Sequence, residues 1–487
     1  MNAPLRRVAI ACLVLFGLLL VNINYRQVVK ASDYRDNARN ARAIVRNYEK
    51  ERGSIALAGA NRPLIARSVE TPGRLKYLRT YPDKDLYAHV TGFYSLVYGQ
   101  DGLEDTEDRV LSGDDPRLFV KRLSDTLTGR VPRGGDVVVT LQQAAQQAAY
   151  DGLKGKRGAV VALDPRTGAI LALASAPTYD PGLLSSFDTA AIRAYRTALL
   201  APAAGDPLLD RALSQTYPPG SIFKVVTAAA ALQDGVTPDT QIPSPTVLTL
   251  PQTSATLRNF GGESCGSGPT TSLADALRIS CNTAFAQLGL TVGEGRLRAQ
   301  AEAFGFGDGS LTVPDPVAAS TFPGALDPPS LAQSAIGQRD VRVTPLQMAM
   351  VAAGVADGGT VMAPYLIREV QAPDLTRLSL AQPKTYRQAV PRSVADQLRT
   401  MMEAVVANGT GTAAQIPGVR VAGKTGTAQN APGAAPHAWF IAFAPAEDPQ
   451  VAVAVIVENG GDAGSEATGG KVAAPIARAV MRAVLGR

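Results

Sequence analysis

The sequence predicts an α+β fold: an antiparallel sheet flanked by helices, preceded by an apolar N-terminal helix and a smaller domain. Three observations predict it. Two apolar runs, 159–163 and 169–174, flank Asp164-Pro165-Arg166-Thr167-Gly168, a strong turn signal between strands. Helix-permissive stretches fill the middle of the chain. Three more apolar runs, 419–423, 438–444 and 451–457, come near its end, so one sheet would draw strands from both ends of the domain.

Composition sets the outer bounds. The 487 residues correspond to roughly three domains, or one large domain with a smaller companion. At 46% hydrophobic and 18% charged, the chain is too apolar for disorder and too mixed for a polytopic membrane protein. The net charge of +6 is small and dispersed, so nucleic-acid binding is not expected. Only two histidines (His89 and His437) and three cysteines (Cys12, Cys265 and Cys281) are present. That supply is poor for a metal site or a Ser-His-Asp hydrolase, so no metal or cofactor is expected, and a catalytic base would not be histidine.

The elements follow in order. Arg6-Arg7 precedes an uncharged, mostly apolar stretch over 8–25. It reads as a single membrane anchor (1–25) with a cytoplasmic N-terminus and everything after it outside. The rival is a cleaved signal with its site near Val29-Lys30-Ala31, disfavoured by Arg26 and Lys30 between that site and the apolar run. Residues 32–52 read as a charged helical stalk, and 53–133 as an irregular non-catalytic unit, within a domain set at 26–155. A strand over 137–141 and a helix over 142–154 follow. In the domain set at 156–487, Tyr217-Pro218-Pro219-Gly220 leads into a helix over 221–233. Residues 236–271 read as loop; 272–289, 344–356, 393–407 and 472–485 read as helices. Export would place Cys265 and Cys281 in an oxidising compartment, where a disulfide between them is expected; two buried thiols are the alternative.

Three motifs carry chemistry. Ser221-Ile222-Phe223-Lys224 puts a hydroxyl and an amine one turn apart at a helix start, where free N–H groups favour negative charge. Ser280-Cys281-Asn282 lies beside a possible helix break and offers a hydroxyl and an amide two residues apart. Lys424-Thr425-Gly426-Thr427 continues the strand begun at 419, and its glycine would let a substrate backbone lie against the strand. Each alone has a bland reading: an N-cap serine with a surface lysine, a chance triplet, a strand end with a solvated lysine.

Together, in this order, the motifs are the signature of penicillin-binding proteins and class A β-lactamases. Residues 158–181, 209–224, 336–350, 421–429 and 438–445 resemble the transpeptidase domain of class B penicillin-binding proteins. Arg52-Gly53-Ser54-Ile55 and Gly102-Leu103-Glu104 are similar to motifs of that class's N-terminal domain, and the length is that of its short members. The resemblance implies D,D-transpeptidation of peptidoglycan stem peptides, in division or elongation. Ser221 would attack the carbonyl between two terminal D-alanines; Lys224 would be the base, Ser280 a proton relay, and Asn282 the holder of the acyl amide. Backbone N–H groups of Ser221 and Thr427 would form an oxyanion hole, and Lys424, Thr425, Gly426 and Thr427 would bind the substrate and its carboxylate. A base role needs Lys224 lowered by about three units from near 10.4, on the order of 4 kcal/mol. β-Lactams would acylate the same serine, and a polytopic glycan polymerase is the implied partner. A β-lactamase or β-lactam sensor, or a non-catalytic scaffold, are the alternatives; no Glu-x-x-Leu-Asn supports the lactamase. Cys281 inside the second motif departs from the family pattern.

Overall fold

The computed structural model describes residues 3–30, 41–59, 61–129, 132–429, 433–466 and 468–487. Helix α1 (Ala3–Asn24) is apolar and exposed throughout, and with Tyr25–Val29 is the one described helix long and apolar enough to cross a membrane. Of the predicted stalk, 32–40 lie outside the described residues and Ala41–Tyr48 is helical.

The large sheet takes two strands from the middle and three from the end of the chain. Helix α2 (Gln143–Leu153) precedes β1 (Gly158–Leu163) and β2 (Ile170–Ala176). Helices α3 (Lys224–Gln233), α4 (Leu273–Arg278), α5 (Asn282–Val292), α6 (Pro345–Ala356) and α7 (Arg392–Asn408) follow. The chain closes with β3 (Ala422–Ala428), β4 (His437–Ala444), β5 (Val451–Val457) and α8 (Ala474–Val484). Sheet order is β3-β4-β5-β1-β2, antiparallel throughout. Helices cover both faces, which is why these strands read as unbroken apolar runs rather than alternating ones. Trp439, Ile441 and Phe443 of β4 point into the core shared with α3, α6 and α7; Phe440 and Ala442 point into the core under α2 and α8. Each such large side chain taken out of water contributes about 1.5–3 kcal/mol.

Ahead of it lies a six-stranded sheet: Arg377–Leu380, Ile367–Gln371, Asp136–Val139, Ile55–Leu57, Leu64–Glu70, Tyr77–Thr80. Two of its strands come from far beyond residue 155, so the late chain completes the early sheet. Two elements differ from the sequence reading. The expected loop over 236–271 contains two ribbons, Gln241–Pro243 with Thr270–Ser272 and Val247–Thr249 with Thr256–Arg258. They bury little apolar surface, so no periodicity betrays them. The expected helix over 272–289 breaks between α4 and α5, where Ser280 adopts φ +64°, a left-handed conformation rare outside glycine.

Candidate active site

The Tyr217-Pro218-Pro219-Gly220 turn is clamped to the sheet. Gly220 has φ +54°, and a Cβ there would stand 2.7 Å from the Thr427 carbonyl oxygen of β3. On the other side, Trp439 Nε1 donates to the Pro218 carbonyl at 3.0 Å. This fixes a short 3-10 turn, Gly220–Phe223, that runs into α3 and carries Ser221 at its start. Gly426 answers the same need from the strand. A Cβ on it would meet Trp439 Cβ at 2.9 Å, Ile222 Cγ2 at 3.0 Å and the Pro219 carbonyl at 3.1 Å. The space that a side chain at 426 would need is therefore taken by the Ser221 turn, while β3 is the edge strand of its sheet.

Both motif lysines are fully buried and converge on Ser280. Lys224 Nζ donates to the Ser280 carbonyl at 2.7 Å and to Asn282 Oδ1 at 2.7 Å, and lies 3.3 Å from Ser280 Oγ. Lys424 Nζ donates to Ser280 Oγ at 2.8 Å and to the Thr425 carbonyl at 2.8 Å. Burial, and secondarily the Lys424 charge, hold Lys224 well below the ordinary lysine range. Burial lowers Lys424 to about 7. A neutral amine has two N–H donors and one lone pair. The Ser280 carbonyl and the Asn282 amide oxygen take the two donors, which leaves the Lys224 lone pair as a proton acceptor one turn from Ser221. The Asn282 amide is engaged at both ends, since Nδ2 donates to the Arg258 carbonyl at 3.1 Å.

Ser221, Ser280, Asn282, Thr425 and Thr427 line one cleft of about 970 Å³. That is within the range of small-molecule and peptide sites. The Thr425 hydroxyl meets that of Thr410 at 2.6 Å. Among the described residues no group of His, Cys, Asp or Glu is arranged to hold a metal ion. Sequence reading missed Asn259, whose Oδ1 accepts from the N–H groups of Asn282 (2.8 Å) and Thr283 (3.2 Å) and so caps α5. A capping asparagine normally stands next to its helix; this one is 23 residues upstream, beyond any local pattern. Thr410 was missed for the same reason.

Cys265 and Cys281 are joined in a disulfide with an S–S distance of 2.03 Å. It ties the loop carrying Asn259 to the residue beside Ser280. Reduction is expected to slow acylation by a penicillin a few-fold rather than abolish it, because the Asn259 cap remains. Equal rates before and after reduction would show that the bridge does not steady the site.

A hydroxyl at a helix start, lining one cleft with a serine that two buried lysines share and with the edge strand of an antiparallel sheet, defines a serine acyl-transfer enzyme of the penicillin-recognising type. Residues 158–482 match the penicillin binding protein transpeptidase domain, and residues 52–137 match the penicillin binding protein A dimerisation domain. The chain belongs to the penicillin-binding protein transpeptidase family. It is 50% identical to peptidoglycan D,D-transpeptidase PbpA of Mycolicibacterium smegmatis over 493 residues, covering 100% of this chain and 99% of the relative. The protein of that name from Mycobacterium tuberculosis is 46% identical over 495 residues, with the same coverage. Among solved structures, the ceftriaxone acyl-enzyme of M. tuberculosis penicillin-binding protein A superposes with a TM-score of 0.87 at 46% identity, covering 91% of this chain and 100% of that one. The penicillin G acyl-enzyme of the same protein gives 0.85 at 47% identity, covering 90% and 100%.

Proposed function

We propose that this peptidoglycan D,D-transpeptidase works through Ser221 as nucleophile and Lys224 as its base. Ser221 Oγ attacks the carbonyl between the two terminal D-alanines of a stem peptide and its proton passes to the Lys224 amine. The tetrahedral oxyanion faces the backbone N–H groups of Ser221 and Thr427, each such donor being worth roughly 10²–10³ in rate. Ser280, bonded to both lysines, carries the proton to the departing D-alanine nitrogen, and the peptide C–N bond breaks to leave an ester on Ser221. An amine from a neighbouring stem then attacks the ester; its displaced proton returns through Lys224 to Ser221. Lys424, with the Thr425 and Thr427 hydroxyls, holds the terminal carboxylate. Asn282 orients Lys224 through Oδ1 and, with one Nδ2 hydrogen on the Arg258 carbonyl, offers the other to the acyl amide. β-Lactams enter by the same attack and stay as the ester.

The observation that carries this reading is the convergence on Ser280 of two buried, pKa-lowered lysines behind the cleft that Ser221 lines. Ser221→Ala is expected to abolish labelling by a fluorescent penicillin with the melting curve unchanged. Labelling that survives the substitution overturns the assignment.

The same reading divides the chain into an anchor (1–25), a non-catalytic domain (26–155) and a transpeptidase domain (156–487). The two family matches at 52–137 and 158–482 support that division. The anchor leaves the N-terminus in the cytoplasm, by the arginines that precede it, and the catalytic domain outside. There the anchor and the N-terminal domain meet a polytopic glycan polymerase that supplies the strands to be cross-linked.

A further inference from the structure

The helix Phe119–Leu127 of the N-terminal domain is amphipathic the wrong way round for the surface of a globular body. Leu118, just ahead of it, and Asp125 within it are buried, at 3% and 7% exposure. Phe119, Leu123 and Leu127 stand four residues apart, on one face of the helix, and are 55%, 49% and 78% exposed. A stripe of three large apolar side chains turned outward marks a surface that something covers.

Position and charge both point to the bilayer. The chain that leaves the apolar helix α1 is fixed to the body at Tyr48, which is buried and packs its ring 5.0 Å from that of Tyr94. Two residues further on, Lys50 shares Asp114 with Arg122 of the outward-facing helix, at 3.6 and 3.1 Å. The stripe thus lies beside the point where the tether joins the body. With Ala41–Tyr48 helical, the stretch from Val29 to Tyr48 spans at most about 50 Å, so the tether holds this helix within reach of the membrane. Residues 117–133 carry five arginines and lysines against one aspartate, and an excess of two remains when Asp114 and Asp115 are counted with them. Lys121 and Arg122 fall on opposite sides of the apolar stripe. An apolar face flanked by cations suits a helix that lies in the headgroup layer of an anionic membrane.

We infer that the helix Phe119–Leu127 is a second membrane contact. Phe119, Leu123 and Leu127 dip into the boundary between headgroups and acyl chains, and the basic flanks face the lipid phosphates. Helix α1 tethers the chain, while this helix sets how the body sits on the bilayer. Because the chain is already tethered, the contact is intramolecular, so a helix too short to bind lipid tightly by itself suffices. This contact deepens the reading of α1 as the anchor and rests on it.

The test uses the full-length protein in nanodiscs of phosphatidylglycerol, one copy to a disc, with and without bromine on the acyl chains. Trp439 is the sole tryptophan and is fully buried, so the unsubstituted protein supplies a constant background. Leu127→Trp is expected to lose about half of its added emission in the brominated lipid, and less in brominated phosphatidylcholine. Adding Leu123→Glu should cut that loss about two-fold with the melting curve unchanged. Val247→Trp, on a ribbon of the transpeptidase domain and 40% exposed, should keep its emission. With one copy to a disc and no other protein present, neither a second copy nor a polytopic partner can produce the quenching. Unchanged emission from Leu127→Trp, or equal quenching of Val247→Trp, overturns the membrane contact alone. Failure of the unsubstituted protein to float with phosphatidylglycerol vesicles overturns the anchor and the contact with it.

Discussion

Lys224→Met is expected to slow acylation of Ser221 by a penicillin roughly 10²–10⁴-fold, the usual span for loss of a positioned general base. Methionine matches the length of the lysine stem, so the packing against Phe285, over whose ring Nζ lies at 5.5 Å, is largely kept. What is lost is the one proton acceptor a turn away from the nucleophile. The pH profile separates this from general damage. In the unsubstituted enzyme the rate should rise with pH as the depressed Lys224 loses its proton, then fall above about 7 as Lys424 becomes neutral and its grip on a carboxylate fades. The substitution should erase the rising limb and keep the falling one. Stopped-flow labelling between pH 5 and 9 reads both. An intact rising limb, or a rate within ten-fold of the parent, would show that another group takes the proton. A thermal melt guards against misfolding, since the Ser280 carbonyl and the Asn282 amide each lose a donor at a cost of about 1–3 kcal/mol.

Much of this site was legible because its chemistry is written in short segments. Ser221 and Lys224 are one helical turn apart, and Lys424 to Thr427 lie on one strand, so spacing pairs them locally and the family resemblance joins the motifs into one site. The five strands of the large sheet were legible for a similar local reason: each is an apolar run bounded by turn residues. The unread parts depend on distant segments. Asn259 acts on Asn282, Thr410 on Thr425, and Ile367–Gln371 pairs with Asp136–Val139 across more than half of the sheet-forming chain. No window of ten residues contains both partners of any of these pairs. Gly426 is the instructive case. Sequence marked it as a point of close approach for a substrate, and the structure adds that Ile222 and Pro219 come close on the side a Cβ would take.

The N-terminal motifs rest on a different physics, and Glu104→Gln tests it with the largest stability change expected in the chain, about 3–5 kcal/mol. Glu104 is fully buried, and so nearly are Arg52 and Arg79. Arg52 Nε donates to one carboxylate oxygen at 2.6 Å and Arg79 Nε to the other at 2.6 Å. Tyr81 adds a hydroxyl at 3.2 Å, and the Arg52 guanidinium lies 4.5 Å from the centre of the Tyr94 ring. Arg79 also reaches the Gly53 carbonyl at 2.7 Å, while a Cβ on Gly53 would collide with the Gly135 carbonyl at 1.9 Å. Arg52, Gly53 and Glu104 are thus one buried junction, which gives the two separated motifs a common cause. Burial alone would raise the Glu104 pKa; the two guanidinium groups outweigh it and hold it below the ordinary value of 4.5. A carboxyl depressed on folding stabilises the fold above its unfolded pKa and loses that contribution as pH falls through the folded one, so the junction should weaken only below about pH 4.5. Glutamine keeps the shape but leaves Arg79 without a counter-charge and Arg52 with that of Asp108 alone, 2.6 Å from Nη1. Against a total stability of about 5–15 kcal/mol, such a loss should appear as a clear drop in the urea midpoint at pH 7 and shrink toward pH 3. A change below 1 kcal/mol at pH 7 would mean that water reaches these arginines and the junction is not dry.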